Sequence, residues 1–323
     1  MQISIVHYVG VFRGGSVKTK MHLNDILVDH VRSIRSLTKH PYSLNIIDNQ
    51  MHPEARRDLE NKLPDMEILE TEGIHHTFPV GANKAIDTLS KDYLFLSHTD
   101  MLMSHNWLTA LAQDLENTEK RYSVPASVSP ILLFYPRLQT SPDKDLMLKT
   151  LRTQRLMEPD KVKNYMNIHG VPHSPWEGQE LAVSNPGIIT DNGWRLGGAY
   201  MASKKFFDEV GHYDPMMNRM NDKSYGIKAL MTRCKVMTSN GVYLHHIGGL
   251  HKTSGCYAGE GYYEDGIHKA YGSETLGAYY QFKKKWGFTV FNKVQDGSIW
   301  RELHAAQENG AGKALIDKYR KMG

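Results

Sequence analysis

Short apolar runs alternate with stretches of helical spacing along residues 1–100. The apolar runs have the length and β-branched content of strands, and they lie at 2–8, 42–48, 66–70 and 92–100. The intervening stretches have apolar residues every three or four positions, which predicts helices at 22–37, 53–62 and 81–90. Strands that alternate with helices are typical of an α/β protein with a mostly parallel central sheet flanked by helices.

The alternation continues less regularly in the second half of the chain. We predict helices at 106–117, 142–167, 204–211 and 221–233, strands at 121–134, 194–203, 234–239 and 241–246, and outer helices over the last fifty residues. Residues 168–193 follow neither period and are rich in glycine, proline and polar side chains. A loop of this length in a compact domain is usually functional, so we expect it to contact ligand.

Composition narrows the function classes. The chain has 39 Lys and Arg residues against 35 Asp and Glu, a net charge of +4 that is scattered along the sequence. Nucleic-acid-binding proteins have a clustered basic face, so no nucleic-acid partner is expected, whereas the charge suits a polyanionic small ligand. Cys234 and Cys256 are the only cysteines, which excludes a disulfide framework and favours a reducing compartment.

The first residues and the hydropathy pattern predict a cytoplasmic protein. The segment MQISIVHYVG runs directly into a strand pattern and lacks the basic, apolar and small-residue parts of a signal peptide. No uninterrupted apolar run reaches the roughly 18 residues of a membrane-spanning helix. We therefore expect no membrane span.

The segment SHTD at 97–100 is the first candidate for chemistry. It follows the apolar run YLFL, and ligands of open α/β sheets bind beyond the carboxyl ends of the strands. A divalent cation that bridges a diphosphate needs carboxylate oxygens, and phosphates and water complete its coordination. Asp100 is therefore a candidate metal ligand. The alternative is that Asp100 caps the helix that follows.

Three segments together resemble the GT-A glycosyltransferases, in particular glycosyltransferase family 2. They are NIIDNQ at 45–50, PVGANKAI at 79–86 and DYLFLSHTDMLMSHNWL at 92–108. In that family a strand-end Asp contacts the nucleotide base, a Gly-x-Asn stretch begins a helix near the donor, and an Asp-x-Asp motif holds the metal. The resemblance implies a Rossmann-like GT-A fold, a nucleoside-diphosphate sugar as donor, and Mn²⁺ or Mg²⁺ as cofactor.

The same resemblance assigns residues to the donor and to the metal. Donor contacts are implied for Asp48, Gly81, Asn83, Lys84 and Asp100. The metal ligand implied by the motif is also Asp100. His98 stands at the first acid of the Asp-x-Asp motif, so Asp100 is the one acid of that motif present in this chain.

The segment GGAYMASKKFFDEVGHYDPMMN at 197–218 resembles the acceptor side of the same family. It combines a small-residue strand, which includes Gly198, with a helix that ends in Val-Gly-x-x-Asp. The family then has a Glu-Asp pair at a helix start, and here the pair is Asn221 and Asp222. The resemblance makes Asp222 the general base, which deprotonates the acceptor hydroxyl as the anomeric carbon is attacked. The alternative is that Asp222 stabilises the helix dipole.

Histidines follow a strand pattern in VYLHHIGGLHKTSG at 242–255, where related enzymes place a metal-binding histidine. His246, two residues before Gly248, fits that place best. Successive side chains of a strand face opposite sides, so at most one of His245 and His246 points into the site. The sequence has no His-Glu-x-x-His helix and no paired Cys-x-x-Cys spacing, which argues against a zinc hydrolase.

Trp176 is the candidate acceptor platform in the long loop, because a tryptophan face stacks on sugar rings. His173 and Glu177 lie close to it in sequence and offer polar groups for sugar hydroxyls. The alternative is that Trp176 only anchors the loop.

The sequence thus predicts a metal-dependent, inverting glycosyltransferase that moves a sugar from a nucleotide sugar to a hydroxyl of a glycan or another acceptor. Residues 1–290 would form the GT-A domain, with a nucleotide-sugar-binding half at 1–108 and an acceptor-side half at 109–290. Residues 291–323 would form a helical extension. Two alternatives stay open: a nucleotidyltransferase, and a non-catalytic protein that binds nucleotide sugars or glycans.

Overall fold

The structure is a computed structural model. It describes residues 1–7, 17–49, 51–72, 78–104, 106–134, 189–191, 198–215, 217, 221–246, 282–288 and 293–322. The helix predicted at 142–167 and most of the loop predicted at 168–193 lie outside these residues, and so does Trp176.

The first part of the chain alternates strands and helices as the sequence predicts. Its elements are β1 (Gln2–His7), α1 (Val17–Leu37), β2 (Ser43–Asp48), α2 (Pro53–Lys62), β3 (Glu67–Glu70), α3 (Phe78–Asp87) and β4 (Tyr93–His98). Both ends of α2 match the prediction, because Pro53 fixes its first turn and the His52 side chain caps it. Helix α3 begins three residues before the predicted start, since Pro79 is tolerated in a first helical turn.

The second part is less regular. Its elements are β5 (Met101–Leu102), α4 (Trp107–Tyr122), β6 (Ala126–Phe134), β7 (Ile189–Asp191), β8 (Ala199–Ser203), α5 (Lys204–Val210), α6 (Asn221–Leu230), β9 (Lys235–His246), α7 (Lys293–Glu308) and α8 (Gly312–Met322). Strand β7 lies inside the stretch predicted to be an irregular loop, and that part of the prediction is wrong because the segment pairs with β9.

The nine strands within the described residues form one sheet in the order β3-β2-β1-β4-β8-β6-β9-β5, and β7 pairs with β9 beside that path. The α/β class with a central sheet flanked by helices is confirmed. The predicted parallel pairing holds for β3, β2, β1 and β4. The second half adds antiparallel pairs, because β8 runs antiparallel to both β4 and β6, and the whole sheet is mixed. Apolar periodicity reveals a strand without its direction, so the sequence pattern alone could not show this reversal.

Strand β9 replaces the two closing strands predicted as separate elements. It is one continuous strand parallel to β6, with a register shift opposite Pro130 and Ile131. Pro130 pairs with Ser239 and Ile131 pairs with Tyr243, so the extra residues at 240–242 are absorbed as a bulge. Asn240, which separates the two predicted strands, and Gly241 both lie in this bulge.

Both faces of the first strands are buried, which explains their continuous apolar sequences. In β1, Ile3 and Ile5 pack on the side of α1 and α4, whereas Val6 packs on the side of α3. A separate cluster joins the last two helices to α6 through residues such as Leu230, Trp286 and Ile316. Among the described residues, no helix combines the length and hydrophobicity needed to cross a bilayer.

The end of α6 is fixed by a side chain far along the chain. The Gln307 amide nitrogen of α7 lies 2.8 Å from the Cys234 carbonyl oxygen, 3.0 Å from that of Thr232 and 3.4 Å from that of Ala229. Helix α8 begins beside the same place, because a Cβ atom on Gly312 would lie 2.4 Å from the Leu230 carbonyl oxygen. The contacts hold the last helices against the carboxyl end of α6.

Candidate functional site

Several candidate residues meet at one edge of the sheet. Strands β1, β2 and β4 are parallel, and β6 and β9 run in the same direction because β8 is antiparallel to both β4 and β6. The carboxyl ends of these five strands therefore share one edge, together with the amino end of β8. We call it the carboxyl edge. The residues at the ends of these strands include His7, Asp48, His98, Gly198 and His246.

The carboxyl edge contains a topological switch point between β1 and β4. From β1 the chain passes through α1 to β2 on one side, and β4 lies on the other side of β1. Open α/β sheets bind ligands in the crevice at such a point. His7 ends β1, and His98 ends β4 in register with Val6. The turn at Thr99 and Asp100 follows directly.

Asp100 is a buried carboxylate at this switch point. Its relative exposure is 2%, and it lies in a turn between β4 and β5. Helix α4 begins only at Trp107, and its N-cap residue is Asn106. The alternative that Asp100 caps the following helix is therefore wrong, because six residues separate it from α4.

His98 and Gly198 are neighbours at the same edge. The His98 backbone N–H donates to the Gly198 carbonyl at 2.8 Å, and the His98 ring lies edge-on to Phe78 with a centroid separation of 4.4 Å. A Cβ atom on Gly198 would lie 2.6 Å from Met101 Cε and 3.3 Å from His98 Nδ1. The absence of a side chain at Gly198 thus makes room for His98 and Met101. Its predicted acceptor contact stays a prediction.

The backbone of His246 lies beside the segment that contains Asp100. His246 pairs with Met101, and His245 pairs with Leu102, in the antiparallel ladder of β9 and β5. Neighbouring strands are about 4.8 Å apart, so His246 lies within one residue of Asp100 along an adjacent strand. Among the described residues, no three His, Cys, Asp or Glu side chains form a group that could hold a metal.

The metal contacts predicted for Asp100 and His246 stay predictions. A carboxylate such as that of Asp100 suits Mn²⁺ or Mg²⁺, and phosphate oxygens of a nucleotide normally complete such a site. A small number of protein ligands is therefore in keeping with a cation that is held jointly with a diphosphate.

Asp48 already has partners for both carboxylate oxygens. Its Oδ1 accepts from the Met51 backbone N–H at 2.6 Å, and its Oδ2 accepts from Arg56 Nη1 at 2.7 Å. Both partners belong to the connection into α2 or to α2 itself. Asp48 thus fixes the β2–α2 junction at the carboxyl edge, and its predicted contact with the nucleotide base stays a prediction.

The residues predicted for donor binding in α3 lie against other parts of the protein. A Cβ atom on Gly81 would lie 2.5 Å from Val6 Cγ1, so Gly81 allows α3 to pack closely on β1. Asn83 accepts from the Tyr213 backbone N–H at 2.7 Å and donates to the Tyr213 carbonyl at 3.0 Å. Lys84 is half-buried. Their donor contacts stay predictions.

Tyr213 is the centre of an aromatic cluster beside the carboxyl edge. Its ring stacks on Tyr225 at a centroid distance of 3.8 Å, and its hydroxyl donates to the Tyr200 hydroxyl at 2.9 Å. Phe78 contacts the Tyr213 ring edge-on at 6.0 Å and the His98 ring at 4.4 Å. The cluster therefore connects β4 with the segment that leads to α6.

Asp222 lies in the first turn of α6 next to this cluster. Burial raises the pKa of Asp222 above its ordinary value, although the Lys223 backbone N–H and the Lys223 charge oppose the shift. Burial also raises the pKa of Tyr213 well above its ordinary value, and the charge of Asp222 adds to that effect. Asp222 is thus a first-turn acid of α6 with a raised pKa, and its role as the general base stays a prediction.

Sequence reasoning missed His7, His30 and Tyr213. His7 ends an apolar strand, so the rule that placed Asp100 could have found it. His30 lies inside α1 and Tyr213 lies in a loop, and both matter through partners far away in sequence. No local pattern in the chain indicates those contacts.

The comparisons with known proteins find similarity among solved structures. No family model matches the sequence, and no curated protein sequence matches it. Among solved structures, the chain is similar to the crystal structure of GalNAc-T7 with UDP, GalNAc and Mn²⁺, at a TM-score of 0.48 and 12% sequence identity. The alignment covers 77% of this chain and 44% of that chain, so this protein spans less than half of its length.

Proposed function

We propose that this protein is a GT-A type glycosyltransferase that moves a sugar from a nucleoside-diphosphate sugar to an acceptor hydroxyl. The observation that carries the proposal is the position of Asp100. It is a buried carboxylate at the topological switch point, with a histidine-bearing strand end beside it. The sequence resemblance to glycosyltransferase family 2 at the same segment supports this assignment.

In this proposal Asp100 and His246 hold Mn²⁺ or Mg²⁺ at the carboxyl edge. The bound ion would neutralise the charge that develops on the departing nucleoside diphosphate. Asp222 takes the proton of the acceptor hydroxyl, and its raised pKa suits that role because a base works best when its pKa approaches the working pH. We assign an inverting displacement to this arrangement.

The remaining predicted residues have supporting roles in the proposal. Asp48, Gly81, Asn83 and Lys84 form the donor side, and Gly198 and Trp176 form the acceptor side. Asn83 would act through Tyr213, since both polar atoms of its side chain bind the Tyr213 backbone. Residues 1–290 would form the transferase domain, and residues 291–323 would extend it.

A non-catalytic nucleotide-sugar-binding protein is the second candidate. The observation that favours it is His98 at the place of the first acid of the Asp-x-Asp motif, which leaves Asp100 as the one carboxylate of the segment 97–100. Such a protein would bind a nucleotide sugar in the presence of metal and would release no product.

The test is the release of products from a panel of nucleotide sugars, with Mn²⁺ and with EDTA. We expect slow release of nucleoside diphosphate from one donor with Mn²⁺, and loss of that release in EDTA and in Asp100→Asn. Asp114→Asn is the matched control, because Asp114 is also a buried carboxylate but binds Ser239 within β9. This control should keep the metal-dependent release.

Every other outcome of the panel either identifies one of the alternative functions or overturns the proposal. Release of pyrophosphate would identify a nucleotidyltransferase. Metal-dependent binding without release, even with a mixture of glycan acceptors, would identify the non-catalytic protein. Absence of both binding and release over the whole panel would overturn the proposal.

A further inference from the structure

We infer that His30 is a positioning residue that holds the turn containing Asp100 through a hydrogen bond to the Thr99 carbonyl. The inference rests on the proposed function in one respect, which is that Asp100 is the metal ligand. The claim that His30 holds the turn stands on the geometry of the described residues alone.

His30 lies in α1 directly against the turn. Its side chain is fully buried, with 0% exposure, and Nδ1 lies 3.0 Å from the Thr99 carbonyl oxygen. A carbonyl oxygen only accepts hydrogen bonds, so Nδ1 must carry the proton. Burial lowers the pKa of His30 to about 4, although the bond to Thr99 and the charge of Asp100 oppose the shift. The ring is therefore neutral at pH 7.

Helix α1 holds the same segment at a second point. The Ser33 hydroxyl donates to the His30 carbonyl at 2.8 Å and accepts from the Met103 backbone N–H at 3.2 Å. His30 and Ser33 thus bind the residues on the two sides of Asp100. From the opposite direction, the Thr99 hydroxyl donates to the Val6 carbonyl of β1 at 3.2 Å. The turn is enclosed between α1 and β1.

Among the described residues, only one ring nitrogen of His30 forms a hydrogen bond, which is the bond from Nδ1 to Thr99. His30 Nε2 is buried and has no hydrogen-bond partner among the described residues. A buried polar atom without a partner destabilises the folded state, and an apolar residue at this position would avoid that cost. The histidine offsets this cost through the hydrogen bond that Nδ1 donates to the Thr99 carbonyl.

The fixed position of the turn matters for metal binding, because the Asp100 carboxylate must already be in place when the metal binds. Residues that act on a ligand through hydrogen bonds typically change metal affinity or activity about 10–100-fold when they are removed. In this protein the turn has only two residues between β4 and β5, so a shift at Thr99 passes directly to Asp100.

The test compares three variants. His30→Leu replaces the imidazole by an apolar side chain of similar size and removes the donor. His30→Asn keeps a donor close to the place of Nδ1. Asn24→Leu is the matched control, because Asn24 is a buried polar residue of the same helix that bonds to α2, at the Ala55 carbonyl and Asp58.

The first readout is amide hydrogen exchange of a peptide that covers residues 99–104, without metal or nucleotide. We expect His30→Leu to speed exchange about tenfold, which corresponds to about 1.4 kcal/mol of local stability. His30→Asn should restore slow exchange, and Asn24→Leu should leave this peptide unchanged after correction for global stability. Equal exchange in His30→Leu and Asn24→Leu would overturn the inference.

The second readout is the Mn²⁺ concentration that half-saturates the thermal stabilisation of the protein by the donor selected from the nucleotide-sugar panel described above. His30→Leu should raise it about tenfold or more, and the two other variants should not. If the wild-type protein shows neither binding nor release, the proposed function fails. The exchange experiment still decides whether His30 holds the turn, so the two failures are distinguishable.

Discussion

Asn83 binds both the backbone N–H and the backbone carbonyl of Tyr213, a residue 130 positions further along the chain. This pair of hydrogen bonds connects α3 with the segment before α6. Since the Tyr213 ring also stacks on Tyr225 of α6, the position of Asp222 depends on a side chain of α3. The Asn83 amide is therefore one of the contacts that hold the segment before α6 against α3.

Replacement of Asn83 by Ala tests the connection between α3 and the segment before α6. We expect a loss of about 2–3 kcal/mol in the free energy of unfolding, because two hydrogen bonds are removed and the Tyr213 backbone loses its partners. Urea unfolding measures the loss. Lys84→Ala, on the same helix, should change stability by less than about 0.5 kcal/mol. An Asn83→Ala protein of wild-type stability with a raised KM for the donor would instead show direct donor binding.

Gly81→Ala should destabilise the protein by about 1–3 kcal/mol through overpacking. The new methyl group would lie 2.5 Å from Val6 Cγ1, and β1 is a central strand that cannot move away. The double variant Gly81→Ala, Val6→Ala should recover part of that loss, since the second change removes the atom in conflict. Strict additivity in this double-mutant cycle would show that the contact with Val6 is not the cause.

Asp222→Asn should separate activity from stability. Loss of the base should reduce turnover about 100-fold or more. Burial raises the pKa of Asp222, so the native state binds its proton more tightly than the unfolded state does. The stabilisation that this proton gives to the folded state is fully present below the ordinary pKa. It is lost as the pH rises from the ordinary pKa of the carboxyl group to the raised one. Above this window the buried charge is a constant cost that the neutral amide of the variant avoids.

The raised pKa of Asp222 determines how the stability difference between the variant and the wild-type protein depends on pH. At pH 8, Asp222→Asn should have a higher free energy of unfolding than the wild-type protein, and the difference should shrink as pH falls toward 4. Urea unfolding at both pH values measures it. Asp208→Asn, an exposed acid of α5 paired with Lys204, should show no such gain at pH 8. A less stable Asp222→Asn protein at pH 8 would show that the carboxylate mainly stabilises the start of α6.

Local sequence patterns are enough to find the carboxyl edge. The apolar run at β4 places Asp100 beyond a strand end, and the proline at Pro53 gives the start of α2. Both features depend on residues that are neighbours in sequence. The parallel pairing of β1, β2 and β4 also follows from alternation of strands and helices.

Contacts between distant residues could not be predicted in the same way. The family resemblance assigns Asn83 to the donor. In the structure its side chain binds Tyr213, and no local pattern links positions 130 residues apart. Likewise, Asn240 and Gly241 have the sequence of a turn, and only the neighbouring strand β6 makes them a bulge. The tertiary partner decides these outcomes.

The Gln307 amide at the end of α6 also sets an order of events during synthesis. Its carbonyl partners at Ala229 and Cys234 precede it by 78 and 73 residues. When α6 leaves the ribosome, neither this amide nor the apolar face of α8 has yet been translated. The helix that begins with Asn221 and Asp222 therefore completes its packing only after α7 and α8 have been synthesised.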